Sequence, residues 1–338
     1  MESNRFDWNW NLKNIKQDKN INVFTVFSCG GGSSMGYKRA GFNVIGNVEI
    51  DPEINKIYVE NLHPKLNFNM DVREFAKLET YPKELMNLDI LDGSPPCTTF
   101  STAGKREKTW GIAKVFREGQ KKQTLDDLFF VFLDVVAKLK PKVFIAENVT
   151  GIIKGNAKGY CNEILSHAKS IGYKVQIFKL DASIMDDPQK RERIFFIGNR
   201  LEFPKLKLNF NHRPILFGEV RGEKGVELDG KLKTLLNLAN KTDRTLASVN
   251  KRCYGSSSCF TNAIIYDDKV CPTITTSDTY YRFCDKTKLS DYDRIVCSTF
   301  PLDYNFYGNT KFLTGMCVPP NMMANIATEI YNQWFSPN

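Results

Sequence analysis

The segment with the clearest potential for chemistry runs from Asp89 to Cys97, with the sequence Asp-Ile-Leu-Asp-Gly-Ser-Pro-Pro-Cys. Its first half is typical of the end of a buried strand, and its second half of a loop stiffened by two successive prolines. Each proline fixes its own φ and restricts the residue before it, so the loop holds the Cys97 thiol in one place. Such a thiol is a candidate nucleophile if neighbouring groups stabilise the thiolate. A surface turn that happens to contain a cysteine is the alternative.

Three charged residues could act together with this thiol. Glu147 follows an apolar strand at 142–146. Arg191 and Arg193 lie at the entrance to another apolar strand, at 194–198. A carboxyl group can act as a general acid, and arginines can stabilise a thiolate or a developing negative charge. These residues are therefore candidate catalytic groups.

A glycine-rich turn follows the first strand, at 23–27, and includes Gly30 and Gly32. It leads into a helical stretch at 37–40. Strand, glycine turn and helix together form the first unit of a nucleotide-binding α/β fold, in which backbone N–H groups closely approach a ligand.

Two acidic residues further along the chain are candidate cofactor contacts. Glu49 ends the second strand, at 42–50, about 20 residues after the glycine turn, where a ribose-binding carboxylate belongs. Asp71 follows the start of a short strand predicted at 68–72. Its carboxylate has two open interpretations: it accepts a hydrogen bond from an adenine amino group, or it caps a helix that begins at Arg73.

The order of elements predicts the fold class. Strands alternate with helices up to about residue 200, and a long amphipathic helix is predicted at 124–139 with Leu128 on its apolar face. This alternation indicates an α/β fold with a mostly parallel, Rossmann-like sheet, whose ligands gather at the carboxyl ends of the strands. From about residue 204 the pattern becomes irregular. We therefore expect a catalytic domain at 1–203, to which the C-terminal helix at 305–338 returns, and a smaller irregular domain at 204–304.

Composition narrows the class of partner and the environment. The 338 residues include 47 Lys and Arg against 38 Asp and Glu, for a net charge of +9. This balance favours a polyanionic partner such as nucleic acid. Nine scattered cysteines predict reduced thiols in a cytoplasmic protein, and no apolar run approaches the ~18 residues of a membrane span. A zinc site is the less favoured interpretation of four irregularly spaced cysteines, namely Cys253, Cys259, Cys271 and Cys284, so no metal is expected.

The three catalytic segments together resemble the DNA (cytosine-5-)methyltransferase family. The resemblance rests on the order and spacing of the segments 94–97, 147–149 and 189–193, and on the outer motifs at 27–32 and 315–320. It covers nearly the whole chain apart from about 204–270. It implies S-adenosylmethionine as methyl donor, double-stranded DNA as substrate and a target cytosine flipped out of the duplex. It also implies a target-recognition role for the irregular domain, a monomeric enzyme, and a bacterial or phage restriction-modification setting in which a cognate endonuclease could be a partner.

By this resemblance Cys97 is the nucleophile, and Glu147 is the carboxyl that interacts with N3 of the cytosine ring. Arg191 and Arg193 line the same site, and Asn148 braces the Cys97 loop. The expected cofactor contacts comprise nine residues. These are Phe27, Gly30, Gly32, Glu49, Ile50, Asp71, Val72, Pro96 and Leu128.

The sequence departs from the family pattern at four positions and leaves other functions open. Thr25, Cys29, Thr98 and Met316 replace an acidic residue, a Gly, a Gln and an Asn. The nearest alternative is a tRNA cytosine-5 methyltransferase of the same fold, although the roughly 70-residue variable segment favours DNA. A catalytically idle DNA-binding regulator is a further alternative. An adenine amino-methyltransferase is disfavoured because it needs an aromatic residue where this chain has Cys97.

Overall fold

The computed structural model describes residues 6–96, 127–154, 157–256 and 262–336. The chain divides into two compact units. The sheet unit comprises Ile15–Leu180, Glu192–Asn209 and Met323–Asn338, and the second unit comprises Met1–Asn14, Asp181–Arg191 and Phe210–Met322. The boundaries expected from the sequence were at 203/204 and 304/305. The structure assigns three further segments to the second unit, namely 1–14, 181–191 and 305–322, and it assigns 204–209 to the sheet unit. The part of the expected C-terminal segment that returns to the sheet unit therefore begins at Met323 rather than at residue 305.

The sheet unit is built on seven strands. In chain order they are β1 (Asn22–Val26), β2 (Asn43–Val48), β3 (Leu66–Phe68), β4 (Ile90–Gly93), β5 (Val143–Val149), β6 (Lys174–Asp181) and β7 (Glu192–Asn199). Their order across the sheet is β3-β2-β1-β4-β5-β7-β6. The pairs among β1 to β5 are parallel, and β7 is antiparallel to β5. The expected mostly parallel sheet is confirmed, and the reversal of β7 is an addition that the alternation of elements did not predict.

Helices connect these strands and cover the sheet. They are α1 (Gly32–Arg39), α2 (Pro52–Leu62), α3 (Val72–Phe75), α4 (Leu128–Leu139) and α5 (Ala157–Ser170), with 3₁₀ turns at Lys83–Asn87 and Thr150–Ile153. In α4 the residues Leu128, Phe132 and Val135 are buried in the core, as their spacing predicted. Phe132 packs edge-on against Phe144 of β5, with ring centroids 5.9 Å apart. Aromatic side chains of helix and strand therefore hold this layer on the sheet.

The chain changes direction across the sheet between β1 and β4. From β1 it builds β2 and β3 on one side, and it then returns to place β4 on the other side of β1. In open α/β sheets ligands bind in the crevice outside the carboxyl ends of the strands at such a switch point. The loop after Val26 is the glycine turn, and the loop after Gly93 contains Pro95 and Pro96. Both functional loops therefore flank the crevice where this topology places a ligand.

The second unit combines short helices with a three-stranded sheet. Its elements are the 3₁₀ turns Leu12–Asn14 and Ala182–Ile184, the helices α6 (Phe217–Val220), α7 (Gly230–Asn237), α8 (Leu246–Tyr254), α9 (Asp291–Cys297) and α10 (Thr310–Met316), and the strands β8 (Ala263–Ile265), β9 (Tyr280–Arg282) and β10 (Thr287–Lys288). The strand order is β10-β9-β8. Arg282 is fully buried and pairs with Asp293 at 3.2 Å. The Trp10 Nε1 donates to the Thr299 carbonyl at 2.9 Å, so the segment around Trp10 packs within this unit.

Three element boundaries differ from the sequence expectation. The strand expected at 68–72 ends at Phe68, because Asp71 caps the helix that follows. Helix α1 begins at Gly32 rather than at Tyr37. The last helix, α11 (Pro320–Ile330), ends in a π-helical turn at Tyr331–Phe335. No helix within the described ranges is long and apolar enough to cross a membrane.

Candidate active site

The glycine turn is the first component of the site. Immediately after β1, Phe27, Cys29 and Gly31 have positive φ values of 54°, 46° and 79°. A Cβ on Gly31 would lie 2.3 Å from Leu62 Cδ1 and 2.9 Å from Tyr58 Cε2. Gly31 is thus required both by its φ and by the close approach of α2. The sequence interpretation selected the flanking Gly30 and Gly32, and the run of three glycines was the only signal for the middle one.

Glu49 connects the end of β2 to the glycine turn. Its Oε2 accepts a hydrogen bond from the Cys29 backbone N–H at 2.8 Å, and its Oε1 accepts one from the Asp51 N–H at 2.9 Å. The side chain is 8% exposed, and burial raises the pKa of its carboxyl, although the backbone hydrogen bonds oppose that shift. Asp51 in turn caps α2, accepting from the N–H groups of Glu53 and Ile54. These bonds fix the Glu49 carboxylate at the predicted edge of the sheet.

Asp71 has the capping role that the sequence left open. Its Oδ1 accepts from the Arg73 N–H at 2.8 Å, and its Oδ2 lies 3.3 Å from Arg73 Nη1. Each oxygen of an ionised carboxylate has two acceptor sites, so a contact with an adenine amino group is compatible with the cap. That contact stays a prediction.

The remaining predicted cofactor residues differ in exposure. Ile50 is 38% exposed, whereas Val72 and Leu128 are buried in the core. Phe27 is half-buried and packs against the same core. Pro96 is half-buried at the end of the described part of its loop. Of these side chains, Ile50 is the most accessible to a ligand.

Glu147 and Arg193 form an ion pair in the sheet unit. The Arg193 Nε lies 2.8 Å from Glu147 Oε1, and both side chains are largely buried, at 15% and 13% exposed. Glu147 pairs with Phe195 across the antiparallel β5–β7 ladder, so Arg193, two residues earlier in β7, faces the same side as Glu147. The reversal of β7 brings its first residues to the carboxyl end of β5. This explains how an arginine at the entrance of a strand meets a carboxylate at the exit of another.

Asn148 holds the loop that leads to the candidate nucleophile. Its Nδ2 donates to the Pro95 carbonyl at 3.1 Å, and its Oδ1 accepts from the Val149 N–H at 2.9 Å. The side chain is 4% exposed. This is the brace that the sequence predicted. Cys97 and Thr98 lie outside the described residues.

Arg191 belongs to the second unit and has different partners from Arg193. Its Nη1 donates to the Ile274 carbonyl at 2.9 Å. Its Nη2 donates to the carbonyls of Gly315 at 2.9 Å and Cys317 at 3.0 Å. The side chain is 1% exposed. Arg191 thus joins the last motif, at 315–317, to the segment around Ile274, and its catalytic role stays a prediction.

The residues around the glycine turn fit an adenosine cofactor. A rigid, buried carboxylate at the end of β2 can accept hydrogen bonds from ribose hydroxyls, and the tight turn allows close approach of backbone N–H groups. The exposed Ile50 offers an apolar surface to a flat ring. Among the described residues no cluster of three His, Cys, Asp or Glu has the arrangement of a metal site.

Fold and site together define an α/β protein of the methyltransferase class. The chain belongs to the family described as C-5 cytosine-specific DNA methylase, whose model matches residues 21–332. This family is a class of S-adenosylmethionine-dependent methyltransferases.

Two relatives illustrate the extent of the match. M.Sau96I, a Type II methyltransferase of Staphylococcus aureus, is 35% identical over 208 residues, which are 60% of this chain and 45% of that protein. M.HindV, a Type II methyltransferase of Haemophilus influenzae, is 27% identical over 327 residues, covering 91% of this chain and 95% of that one. The chain spans about half the length of several other curated relatives that it matches.

Solved structures share the fold. A prophage-encoded protein of E. coli, assigned as a DNA modification methyltransferase, superposes with a TM-score of 0.68 at 20% identity and covers 94% of this chain and 100% of that one. The S. pombe Dnmt2 methyltransferase superposes with a TM-score of 0.59 at 16% identity, and the match covers 94% of this chain and 100% of that one. At these identities the likeness supports the fold alone.

Proposed function

We propose that the protein transfers a methyl group from S-adenosylmethionine to carbon 5 of a flipped-out cytosine in a specific duplex DNA sequence, with Cys97 as the covalent nucleophile. The observation that supports this most strongly is the buried Glu147–Arg193 pair at the carboxyl end of β5. The neighbouring Asn148 braces the proline loop that leads to Cys97. A carboxyl, an arginine and a fixed thiol loop are the groups that this reaction needs.

The reaction requires activation of the base, because carbon 5 of cytosine is a poor nucleophile. The Cys97 thiolate adds to carbon 6, and the electron pair of the ring double bond becomes available at carbon 5. A protonated Glu147 donates to ring N3 and neutralises the charge that develops there. After carbon 5 has been methylated, a base removes its proton and the sulfur leaves carbon 6, which restores the aromatic ring.

Arg193 has a defined place in this scheme. When no cytosine is bound, the Arg193 guanidinium pairs with the Glu147 carboxylate and orients it. A fixed cation in a partly desolvated site also stabilises negative charge, including that of a thiolate. By family resemblance Arg191 also belongs to this site. Its hydrogen bonds to the Gly315 and Cys317 carbonyls hold the segment 315–317 in place.

S-adenosylmethionine, when bound, supplies the methyl group and its electrophilic character. The chain would hold it with residues around the β1–β4 switch point. These are Phe27, Gly30, Gly32, Glu49, Ile50, Asp71, Val72, Pro96 and Leu128. Glu49, with its two backbone hydrogen bonds, is the residue best prepared to bind the ribose.

The second unit would provide sequence recognition. Its irregular sheet and short helices lie within the expected target-recognition domain, 204–304, where side chains would contact base edges in the major groove. The named relatives are Type II methyltransferases, which supports a restriction-modification setting with a cognate endonuclease as possible partner.

The proposal is tested by offering radiolabelled S-adenosylmethionine with either duplex DNA or tRNA to the purified chain. We expect label in DNA as 5-methylcytosine, confined to one short sequence. Label in tRNA alone would replace this proposal with the RNA branch of the same fold. Specific DNA binding without any label would replace it with a regulator.

A further inference from the structure

Asp92 is a buried acidic residue of the sheet unit that the proposed mechanism does not use. Asp92, in β4, is 3% exposed. Its Oδ1 accepts a hydrogen bond from the Tyr37 hydroxyl of α1 at 3.0 Å. Carboxylates are seldom buried so completely without a cation, because burial penalises the charged form. A buried acid next to a proposed acid–base residue is a candidate for a role in proton control.

Asp92 belongs to a polar layer beneath the glycine turn. Across the sheet, Thr25 of β1 pairs with Asp92 on one side and with Asn47 of β2 on the other. Thr25 Oγ1 lies 3.3 Å from Ser34 Oγ of α1, which accepts from the Tyr58 hydroxyl of α2 at 2.9 Å. Uncharged hydroxyl and amide groups thus surround Asp92 on the side of β1. A neutral Asp92 fits this layer better than an ionised one.

The same face of the sheet also presents Glu147. Asp92 pairs with Ile145 across the parallel β4–β5 ladder, and Glu147 lies two residues further along β5. Because side chains alternate between faces, Asp92 and Glu147 lie on one face. Strand spacing places their Cα atoms about 8 Å apart. At that spacing a negative charge on Glu147 disfavours a second negative charge on Asp92, because like charges repel each other.

The groups around Asp92 have opposing effects on the pKa of its carboxyl. Burial raises the pKa of Asp92 to about 7, and the charge of Glu147 contributes to that rise, while hydrogen bonds from Tyr37 and Ser33 oppose it. Tyr58 also faces Asp92, and burial raises its own pKa to about 12, so it stays neutral. Arg193 is the cation that lies next to Glu147, with its Nε 2.8 Å from Glu147 Oε1.

We propose that Asp92 and Glu147 form a coupled carboxyl pair that retains one proton up to neutral pH, with Asp92 as the positioning residue that keeps this proton available to Glu147. The inference rests on the proposed function. In the free protein the proton resides on Asp92 and the negative charge on Glu147, beside Arg193. When cytosine N3 engages Glu147, the proton resides on Glu147 and the negative charge on Asp92. The distribution reverts when N3 leaves, so no net proton is gained or lost.

The first test is the pH profile of single-turnover methylation for wild type, D92N and Y58F. Asn keeps the acceptor for the Tyr37 hydroxyl but cannot hold the proton that the carboxyl pair shares. We expect the alkaline limb of D92N to move down by more than one pH unit. Its rate should fall at least about tenfold at pH 7.5 and recover at pH 5.5. Y58F, which alters the same layer without removing a carboxyl, should keep the wild-type limb. A uniform loss for D92N at every pH, or an unchanged profile, would overturn the proposal.

The second test does not depend on methylation. The free energy of unfolding is measured against pH for wild type, D92N, E147Q and the double variant. We expect the free energy of unfolding of D92N to increase relative to that of wild type as the pH rises from about 4 to 7. In this range folded wild type keeps a proton that its unfolded chain releases, so wild type loses stability with rising pH and D92N does not. In the E147Q background this relative gain in the free energy of unfolding should reach its endpoint at a lower pH. If E147Q leaves that endpoint unchanged, the two carboxyls are not coupled and the proposal fails. An inactive wild type with coupled titration would instead refute only the proposed methylation.

Discussion

At the scale of single residues, the contrast between Arg191 and Arg193 shows what spacing alone could not predict. Both belong to the segment 189–193, and the sequence interpretation gave them one role. The structure gives Arg193 a carboxylate partner, Glu147, and gives Arg191 three backbone carbonyls in the second unit. Two residues apart in sequence, they lie on either side of the boundary between the two units. A charged residue at a strand entrance can be predicted from sequence, but its partners depend on tertiary structure.

Replacing Arg191 with Lys should therefore destabilise the protein. A single ammonium cannot reproduce a planar fork that donates to three separate carbonyls, and buried acceptors would lose their donors. We expect a loss of about 3 kcal/mol in the free energy of unfolding, measured by urea titration. Arg200→Lys is the matched control, because Arg200 donates to the Lys140 and Pro141 carbonyls at an exposed site. Equal losses for the two variants would contradict the structural role of Arg191.

Glu147→Gln should separate chemistry from binding. Glutamine keeps the size and one acceptor oxygen but cannot donate a carboxyl proton to ring N3. Loss of a general acid reduces rates by about 10² to 10⁴, so we expect methylation to fall by at least about 100-fold. Duplex binding should change by less than about threefold. Glu202→Gln, at an exposed ion pair with Lys174, should leave methylation unchanged. A Glu147→Gln variant with wild-type rates would exclude Glu147 from the reaction.

At the scale of elements, the strand, glycine turn and helix were predicted correctly, and their boundaries were less accurate. The apolar pattern of β1 and the triple glycine marked this unit. The start of α1 at Gly32 was missed because the turn and the first helical turn have the same small residues. The end of β3 was placed too late, because the helix cap was only one of two roles open to Asp71, and its hydrogen bond from the Arg73 N–H identifies that role. The antiparallel β7 was not predictable, because no local pattern specifies strand direction.

Gly31→Ala tests the glycine turn as an element. Alanine at φ +79° is strained, and its Cβ would meet Leu62 and Tyr58 of α2. We expect a loss of about 2–4 kcal/mol in unfolding free energy, measured by thermal or urea denaturation. Gly159→Ala in α5 is the control, because no atom lies near the added Cβ. That variant should be neutral or gain up to about 1 kcal/mol, as alanine favours a helix over glycine. Comparable behaviour of both variants would show that the turn is not constrained as described.

At the scale of the whole molecule, topology brings motifs that are distant in sequence to one edge of the sheet. The return of the chain from β3 to β4 brings the loops after β1 and β4 to the same switch point, and β7 adds Arg193 to the end of β5. The sequence predicted the class of sheet, and its assignment of the ligand-binding edge stays a prediction. It could not resolve the second unit, whose short helices and three-stranded sheet lack a clear hydrophobic period. There residues far apart in sequence meet, as in the hydrogen bond from Trp10 Nε1 to the Thr299 carbonyl.

The net charge of +9 predicts that the affinity for DNA depends on salt concentration. If the partner is duplex DNA, several phosphate contacts will release counterions, and affinity will fall steeply with salt. We expect the dissociation constant for a cognate duplex to rise at least about 100-fold between 50 and 200 mM salt, measured by fluorescence anisotropy. The melting temperature over the same range serves as the control and should change little. A salt-independent affinity would argue against a nucleic-acid partner.

The most direct test of the account is covalent capture by Cys97. Duplex DNA that contains 5-fluorocytosine at the target position blocks the final proton removal, so the sulfur should stay bonded to carbon 6. Incubation with S-adenosylmethionine should give a denaturation-resistant protein–DNA adduct, and peptide mapping should place it on Cys97. The Cys97→Ser variant should bind the same duplex without forming the adduct. If an active wild-type preparation forms no adduct, or if the adduct maps to another side chain, the account of this site is wrong.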